Sequence, residues 1–215
     1  VNGTLFFSAY HGSNGIELWK SDGTVAGTVM VKDIHTASYE DSSPMNLTNV
    51  NGTLFFTAED SLNSAADLWK SDGTEAGTVK VKIIDPGTGN PDFGFLTDVN
   101  GTLFFRANDG VNGAELWISD GTAGGTVRLD IRSGSSGSFP RELTVVDGML
   151  YFTASNGTNG YELWRSDGTV VGTTMVKDII AGSGGSNATE LAGVNGMLFF
   201  SANDGIDGYE LWKSD

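Results

Sequence analysis

Two histidines, a fivefold set of carboxylates and a fivefold set of tryptophans are the side chains with chemistry to offer in this sequence. His11 and His35 are the only side chains that titrate near neutrality. Neither accompanies a nucleophile motif, so each reads as a plain loop residue. Cysteine is absent, which excludes disulfide stapling, thiolate catalysis and Cys-based metal sites. The acids recur in register. Glu17, Asp67, Glu115, Glu162 and Glu210 each precede Leu-Trp, and Asp22, Asp72, Asp120, Asp167 and Asp215 each follow Trp-x-Ser. Catalysis normally rests on one asymmetric constellation, whereas recurrence in register is what structure or multivalent binding requires. The acid before Leu-Trp is a candidate ligand contact, but satisfying a neighbouring strand or turn is the commoner role. The Asp after Ser suits a turn cap that accepts from nearby backbone N–H groups. No enzymatic activity is expected.

Trp19, Trp69, Trp117, Trp164 and Trp212 have the faces to stack on sugar rings. A residue kept in all five copies, however, fits a packing contact that every copy repeats. The loops 108–113 and 203–208 resemble calcium loops, through Asn108-Asp109-Gly110 and Asn203-Asp204-Gly205. The bidentate Glu that should close such a loop is missing. The other copies read Tyr10-His11-Gly12, Glu59-Asp60-Ser61 and Ser155-Asn156-Gly157, so a hairpin turn accounts for all five. No cofactor is expected, and calcium is the one ion these loops leave in view. The net charge of -15 repels phosphate backbones and acidic membrane surfaces. Nucleic acid is therefore not an expected partner. Apolar runs of four to six residues fall far short of the ~20 needed to span a bilayer, so no membrane insertion is expected.

These groups must be positioned by a repeat. Asn2-Gly3 recurs as Asn51-Gly52, Asn100-Gly101, Asp147-Gly148 and Asn195-Gly196. The repeats are bounded at about 1–49, 50–98, 99–145, 146–193 and a partial 194–215, forming one repeat domain over 1–215. Each holds up to four short β-branched or aromatic runs bounded by turn residues. Strand A ends in Leu-Thr-x-Val, as in Leu47 to Val50. Strand B is Thr4 to Ala9, strand C is Glu17 to Ser21, and strand D is Val29 to Ile34. Asn-Gly between A and B favours a type I′ hairpin. Ser21-Asp22-Gly23-Thr24 and its copies suit a second hairpin between C and D. No run keeps a 3.6-residue apolar period, so almost no helix is expected.

Strand B places Leu5, Phe7 and Ala9 on one face and Phe6 on the other. Strand C divides Leu18 from Trp19. Both faces of each sheet are thus apolar, and radial stacking covers both. The expected fold is all-β, a β-propeller of four-stranded antiparallel blades. Five blades are expected, the first without strand A and the last without strand D.

The run Glu17-Leu18-Trp19-Lys20-Ser21-Asp22-Gly23-Thr24 resembles the ELWxxDGT repeat of bacterial proteins. Residues 115–122 and 162–169 match it, Asp67 replaces Glu in the second copy, and the fifth stops at Asp215. The resemblance implies a bacterial cell-surface or secreted protein, extracellular in setting, with no settled activity.

Antiparallel order puts the A–B and C–D turns at one end of the sheets and the B–C loops and D–A connections at the other. The first end is nearly identical in every copy; the second carries what differs. Variable loops on a rigid scaffold are where recognition normally sits. The candidate ligand-binding residues are Tyr10, His11, Tyr39, Asp60, Phe93, Asp109, Phe139 and Asp204. The expected function is extracellular binding or adhesion, with a carbohydrate or another surface protein as partner. The alternative is a structural segment of a larger surface or filament-forming protein, self-associating through open blade edges.

Overall fold

A computed structural model describes residues 1–61, 65–87, 89 and 91–214 of the chain. Among these residues the regular structure is all β, with no helix, in five antiparallel sheets. Sheet 1 holds β1 (Leu5–His11), β2 (Gly15–Ser21) and β3 (Val29–Lys32). Sheet 2 holds β4 (Met45–Val50), β5 (Thr53–Ala58), β6 (Asp67–Ser71) and β7 (Val79–Lys82). Sheet 3 holds β8 (Gly94–Val99), β9 (Thr102–Asn108), β10 (Ala114–Ser119) and β11 (Val127–Leu129). Sheet 4 holds β12 (Arg141–Val146), β13 (Met149–Ser155), β14 (Tyr161–Ser166) and β15 (Thr174–Lys177). Sheet 5 holds β16 (Thr189–Val194), β17 (Met197–Asn203) and β18 (Tyr209–Ser214). Strands pair in chain order within each sheet. As expected, the first sheet lacks strand A and the last lacks strand D. The A-type strands β4, β8, β12 and β16 lie beside one another in series.

Local chemistry explains both hairpins. At the A–B turn both central residues take positive φ, as in Asn51 (45°) and Gly52 (84°), which is the type I′ geometry. At the C–D turn the Asp72 carboxylate accepts from Thr74 N (2.8 Å) and Thr74 Oγ1 (2.7 Å). Ser71 Oγ and Thr78 Oγ1 close the base at 2.7 Å. Asp22, Asp120 and Asp167 repeat this cap; Asp215 lies outside the described residues. Gly77 admits no side chain, because a Cβ there would collide with the Asp72 carboxylate.

Each sheet has two unlike faces. The front face carries the first Leu, the second Phe and the Ala of strand B together with the Trp of strand C. The back face carries the first Phe of strand B, the Leu of strand C and strand D. The front of each sheet packs on the back of the sheet before it. Leu103, Phe105, Ala107 and Trp117 of sheet 3 thus meet Phe55, Leu68, Val81 and Ile84 of sheet 2. The same contact joins sheets 1 and 2, 3 and 4, and 4 and 5. Phe105 and Trp117 stack at 6.2 Å, and Lys82 of sheet 2 lies 6.0 Å over the Trp117 ring. Each fully buried Phe, Leu or Met contributes about 1.5–3 kcal/mol.

The front of sheet 1 and the back of sheet 5 have no such cover. Leu5 is 63% exposed, while its copies Leu54 and Leu103 are 2% and 0% exposed. Leu211 is 77% exposed against 1% for Leu163. The two terminal sheets do not bury each other's facing side chains.

Replacing Trp117 by Ala should cost about 3–5 kcal/mol. Replacing Trp19, on the uncovered front of sheet 1, should cost clearly less in the same urea titrations. Equal costs would contradict front-on-back packing.

Candidate functional site

The B–C loops and D–A connections meet at one end of the sheets, as the strand order requires. Tyr39 N donates to Ser13 O (3.0 Å), Glu59 N to Ser42 O (2.9 Å) and Asn108 N to Pro91 O (2.6 Å). Ser155 N to Ser138 O and Asn203 N to Ser186 O continue the seam, both at 3.0 Å. At the opposite end neighbouring turns bond to each other. Asn2 Nδ2 donates to Gly52 O (3.1 Å), and Lys20 Nζ to Gly73 O (2.7 Å). That end is committed to joining the sheets.

The acid before Leu-Trp anchors each connection from beneath. Glu17 is fully buried and accepts from Ile34 N (2.9 Å), Ser42 Oγ (2.6 Å) and Ser42 N (3.3 Å). Glu115 accepts from Ser138 Oγ (2.6 Å) and Ile131 N (3.2 Å). Glu162 accepts from Ser186 Oγ (2.6 Å), Ser186 N (2.9 Å) and Ile179 N (3.3 Å). The acid thus pins the end of one sheet to the Ser that leads into the next. Burial pushes the Glu17 and Glu115 carboxyls above their usual range, against the pull of these donors. Glu210 has no such connection within the described residues and is exposed. In Glu17, Glu115 and Glu162 the carboxylate thus serves the neighbouring strand and turn, the commoner role considered for these acids. His35 belongs to this anchor too. It lies in the connection after β3, as expected of a loop residue, but is buried at 4% exposure and donates its backbone N–H to Glu17 (3.4 Å).

Sheet 2 departs from this pattern in three linked positions. Asp67 replaces Glu, Pro91 stands where the other copies have Ser, and Lys80 stands where sheets 1 and 4 have Met30 and Met175. Lys80 Nζ lies 2.6 Å from Asp67 and 2.8 Å from Asp60. A carboxylate one methylene shorter, without the Ser hydroxyl, has taken a cation instead. Burial works to lower the Lys80 pKa, but its two carboxylate partners outweigh it and hold the ammonium above its usual value. Burial likewise raises Asp67 despite Lys80. Asp60, Asp67, Lys80 and Asp85 line a pocket of about 210 Å³. That is below the roughly 300–1,000 Å³ of small-molecule sites.

The candidate residues are spread around the array and form no single constellation. Tyr10 (66% exposed) and Tyr39 (72%) belong to sheet 1 and the connection that leaves it. His11 is the last residue of β1 rather than part of a loop. It bonds Asn14 at 2.8 Å and its ring lies 6.0 Å from Trp19. Phe93 is drawn into the contact of sheets 2 and 3, where it packs on Phe105 at 5.8 Å; it is chiefly a core residue. Asp109 caps its own loop through Val111 N, Asn112 N and Asn112 Nδ2. Burial would raise its carboxyl, but these donors and Arg128 hold it below the ordinary range. Asp204 caps the matching loop through Ile206 N and Asp207 N. Both loops that resemble calcium loops therefore close on their own backbone, as the hairpin reading required. Among the described residues no three His, Asp or Glu side chains gather as a metal site. Phe139 is exposed at positive φ (48°). Of the connection 85–93, residues 88 and 90 lie outside the described residues.

One feature of this end has no signature in the residue types. Each A-type strand carries a register shift against its partner, with a non-glycine residue at positive φ in the shift. These residues are Asn46, Phe95, Glu142 and Glu190, at φ 55–58°. Such bulges store strain and re-aim side chains near binding sites. Here they leave Phe95 exposed under the Arg106 guanidinium, 5.1 Å away. Arg141, next to Glu142, covers Tyr161 at 4.6 Å.

No protein-family model matches the chain, and no curated protein matches its sequence. Solved structures do. A puromycin hydrolase complexed with PGG aligns over 99% of this chain at TM-score 0.55 and 15% identity. Prolyl oligopeptidase B from Galerina marginata aligns over 99% at TM-score 0.57 and 12% identity. The β-propeller domain of the Trilobed protease from Pyrococcus furiosus, described as having an open velcro topology, aligns over 99% at TM-score 0.55 and 11% identity. The chain spans 34% of each of the first two and 63% of the third. At such identities the likeness concerns the fold alone. Five antiparallel sheets stacked front on back, similar to a propeller domain, define an all-β protein of the β-propeller class. Its sheets are blades in that sense.

Lys80→Met should cost on the order of 1–3 kcal/mol, because Asp67 loses its cation. Adding Asp67→Glu and Pro91→Ser, which recreates the sheet 1 and sheet 4 pattern, should recover most of that loss in urea titrations. A triple variant no better than the single one would contradict the linkage. A carboxyl raised on folding, such as Glu115, stabilises fully below its unfolded value near 4.5, and that contribution is lost as pH rises through the folded value. Asp72 and its copies, lowered by the Thr hydroxyl bonds, run the opposite way. Glu115→Gln removes one raised titration, so its stability deficit against wild type should shrink from pH 4.5 towards neutrality. A deficit that grows over that range would contradict the assignment.

Proposed function

We propose that this chain is a non-catalytic recognition module with five blades, the first and last one strand short. It binds on the face formed by the B–C loops and D–A connections. The observation that carries this reading is the distribution of exposed aromatics. Among the described residues these are Tyr10, Tyr39, Phe95, Phe139 and Tyr209, and all five lie toward that face. The opposite end exposes Val25, Val170 and Val171 but no aromatic ring. Tyrosines supply large, stiff contact area with a polar tip, which suits stacking on a sugar ring or anchoring in a protein pocket. The net charge of -15 favours a neutral glycan or a surface protein over a polyanion. The ELWxxDGT resemblance supports an extracellular or cell-surface setting in a bacterium.

A screen of the wild-type chain against neutral oligosaccharides tests this reading. Tyr39→Ala and Phe139→Ala should each weaken a bound glycan about tenfold, or roughly 1.4 kcal/mol. Val170→Ala, at the turn end, should leave affinity unchanged. Binding that maps to the turn end, or that ignores the aromatic substitutions, would refute it. A second reading, a structural segment of a larger assembly, is favoured by the uncovered faces of sheets 1 and 5.

A further inference from the structure

A lysine at the end of strand D ties one sheet to the C–D turn of the next. Lys32 of sheet 1 donates to Glu75 O (3.5 Å) and Thr78 O (3.0 Å) of sheet 2. Lys82, its copy in sheet 2, donates to Ala123 O (3.2 Å) and Thr126 O (2.7 Å) of sheet 3, and lies 6.0 Å over the Trp117 ring. Lys177, the copy in sheet 4, lies 5.2 Å over Trp212. The chain thus displays what receives an ammonium here: two turn carbonyls and the face of a Trp.

Sheet 3 is one residue short at this point. Val31-Lys32-Asp33-Ile34 of sheet 1 and Val176-Lys177-Asp178-Ile179 of sheet 4 become Leu129-Asp130-Ile131. The loss also removes a bulge. Strand D shifts register against strand C in sheets 1, 2 and 4, whereas β11 pairs with β10 without a shift. The bulge supplies an extra residue, so Val31 and Val81 can be buried while the lysine beside each reaches the next sheet. Without it Leu129 keeps the buried role, 3% exposed, and no lysine remains. A second tie is missing at the same contact, since Ile118 stands where Lys20 and Lys70 reach the next turn.

Between sheets 3 and 4 this leaves a pocket of about 80 Å³, lined by Leu129, Asp130, Ile131, Trp164, Val170 and Thr173. Val170 and Thr173 are the copies of the residues whose carbonyls hold Lys32 and Lys82, and Trp164 is the copy of the ring beneath the lysine. Thr78 and Thr126 are fully buried beside their lysines, while Thr173 is half-buried. The buried Trp164 indole N–H meets no acceptor among the described residues, whereas Trp69, Trp117 and Trp212 donate theirs to the Ala of strand B. We propose that this pocket binds a primary alkylammonium group, carried by a small amine or by a lysine side chain. A water-sized group occupies about 30 Å³, so the space suits an ammonium and the first carbons of its stem. Leu129 and Ile131 give the stem an apolar wall. Asp130, which also holds Arg128 Nη1 at 2.9 Å, adds negative charge. The site lies toward the turn end and does not rest on recognition by the loop face.

Titration of the isotope-labelled chain with methylammonium chloride tests the proposal, with sodium chloride holding ionic strength constant. The reporter is the Trp164 indole N–H resonance, assigned through Trp164→Phe. That signal should shift and saturate at millimolar ligand, and the other Trp signals should move far less. Tetramethylammonium has no N–H to give the carbonyls and should bind about tenfold more weakly or worse. n-Butylammonium and Nα-acetyl-lysine amide should both compete, and the tighter of the two tells whether the site suits a free amine or a lysine side chain. A variant with one Lys inserted between Leu129 and Asp130 restores the sheet 4 pattern. It should lose the titration and unfold at higher urea than the wild type. Asp130→Asn, at an exposed position, should keep the native spectrum and weaken binding several-fold. A Trp164 signal that does not saturate, or that responds equally to tetramethylammonium, would overturn the proposal. So would a natively folded Lys-inserted chain that still titrates, or an Asp130→Asn chain that binds as tightly as wild type.

Discussion

A sheet with two apolar faces cannot be stable alone in water, and the remainder of this structure follows from how those faces are hidden. The front of one sheet, with its Leu, Phe, Ala and Trp, fits the back of the sheet before it. Because front and back differ, the contact has direction, and repeating it carries the sheets in one sense with the A-type strands in series. The turns at one end reinforce it: a lysine reaches the next C–D turn, and an asparagine reaches the next A–B turn. That end is consumed by assembly, which leaves the other free to vary.

Variation is tolerated there because the connections are held from below. A buried Glu ties the end of strand D to a Ser just ahead of the next strand A. The residues between those two points carry little of the packing and can differ from copy to copy. Sheet 2 shows the limit of that freedom. Shortening the acid to Asp67 and losing the hydroxyl at Pro91 go with a compensating Lys80, since a buried carboxylate left without donors costs several kcal/mol. The repeat therefore fixes a scaffold and tolerates a changed anchor only when charge and hydrogen bonds are made good together.

Much of the scaffold was legible in the sequence. Asn-Gly and Ser-Asp-Gly-Thr name their turns because few other residues tolerate those backbone angles and caps. Leu-Phe-Phe and Leu-Trp name a sheet apolar on both sides. The partners of the buried acid were not legible, because Ser42 lies 25 residues downstream in a segment that varies between copies. The bulges were hidden as well, since Asn46, Phe95, Glu142 and Glu190 share a φ and no chemical type. Phe93 and Phe139 looked alike as loop aromatics, yet one packs on Phe105 and the other stays exposed. The open faces could not be read from residue type at all. Leu5 and Leu54 sit in the same motif, and only position in the array separates an exposed side chain from a buried one.

Hydroxyl-radical footprinting of the dilute chain, resolved by residue, tests front-on-back stacking most directly. Leu54, Leu103, Leu163 and Trp117 should be protected, while Leu5 and Leu211 react at rates near those of free leucine. Equal labelling of the leucines in every copy would contradict the account, because it would mean that position in the array does not decide which aromatic and aliphatic faces meet water.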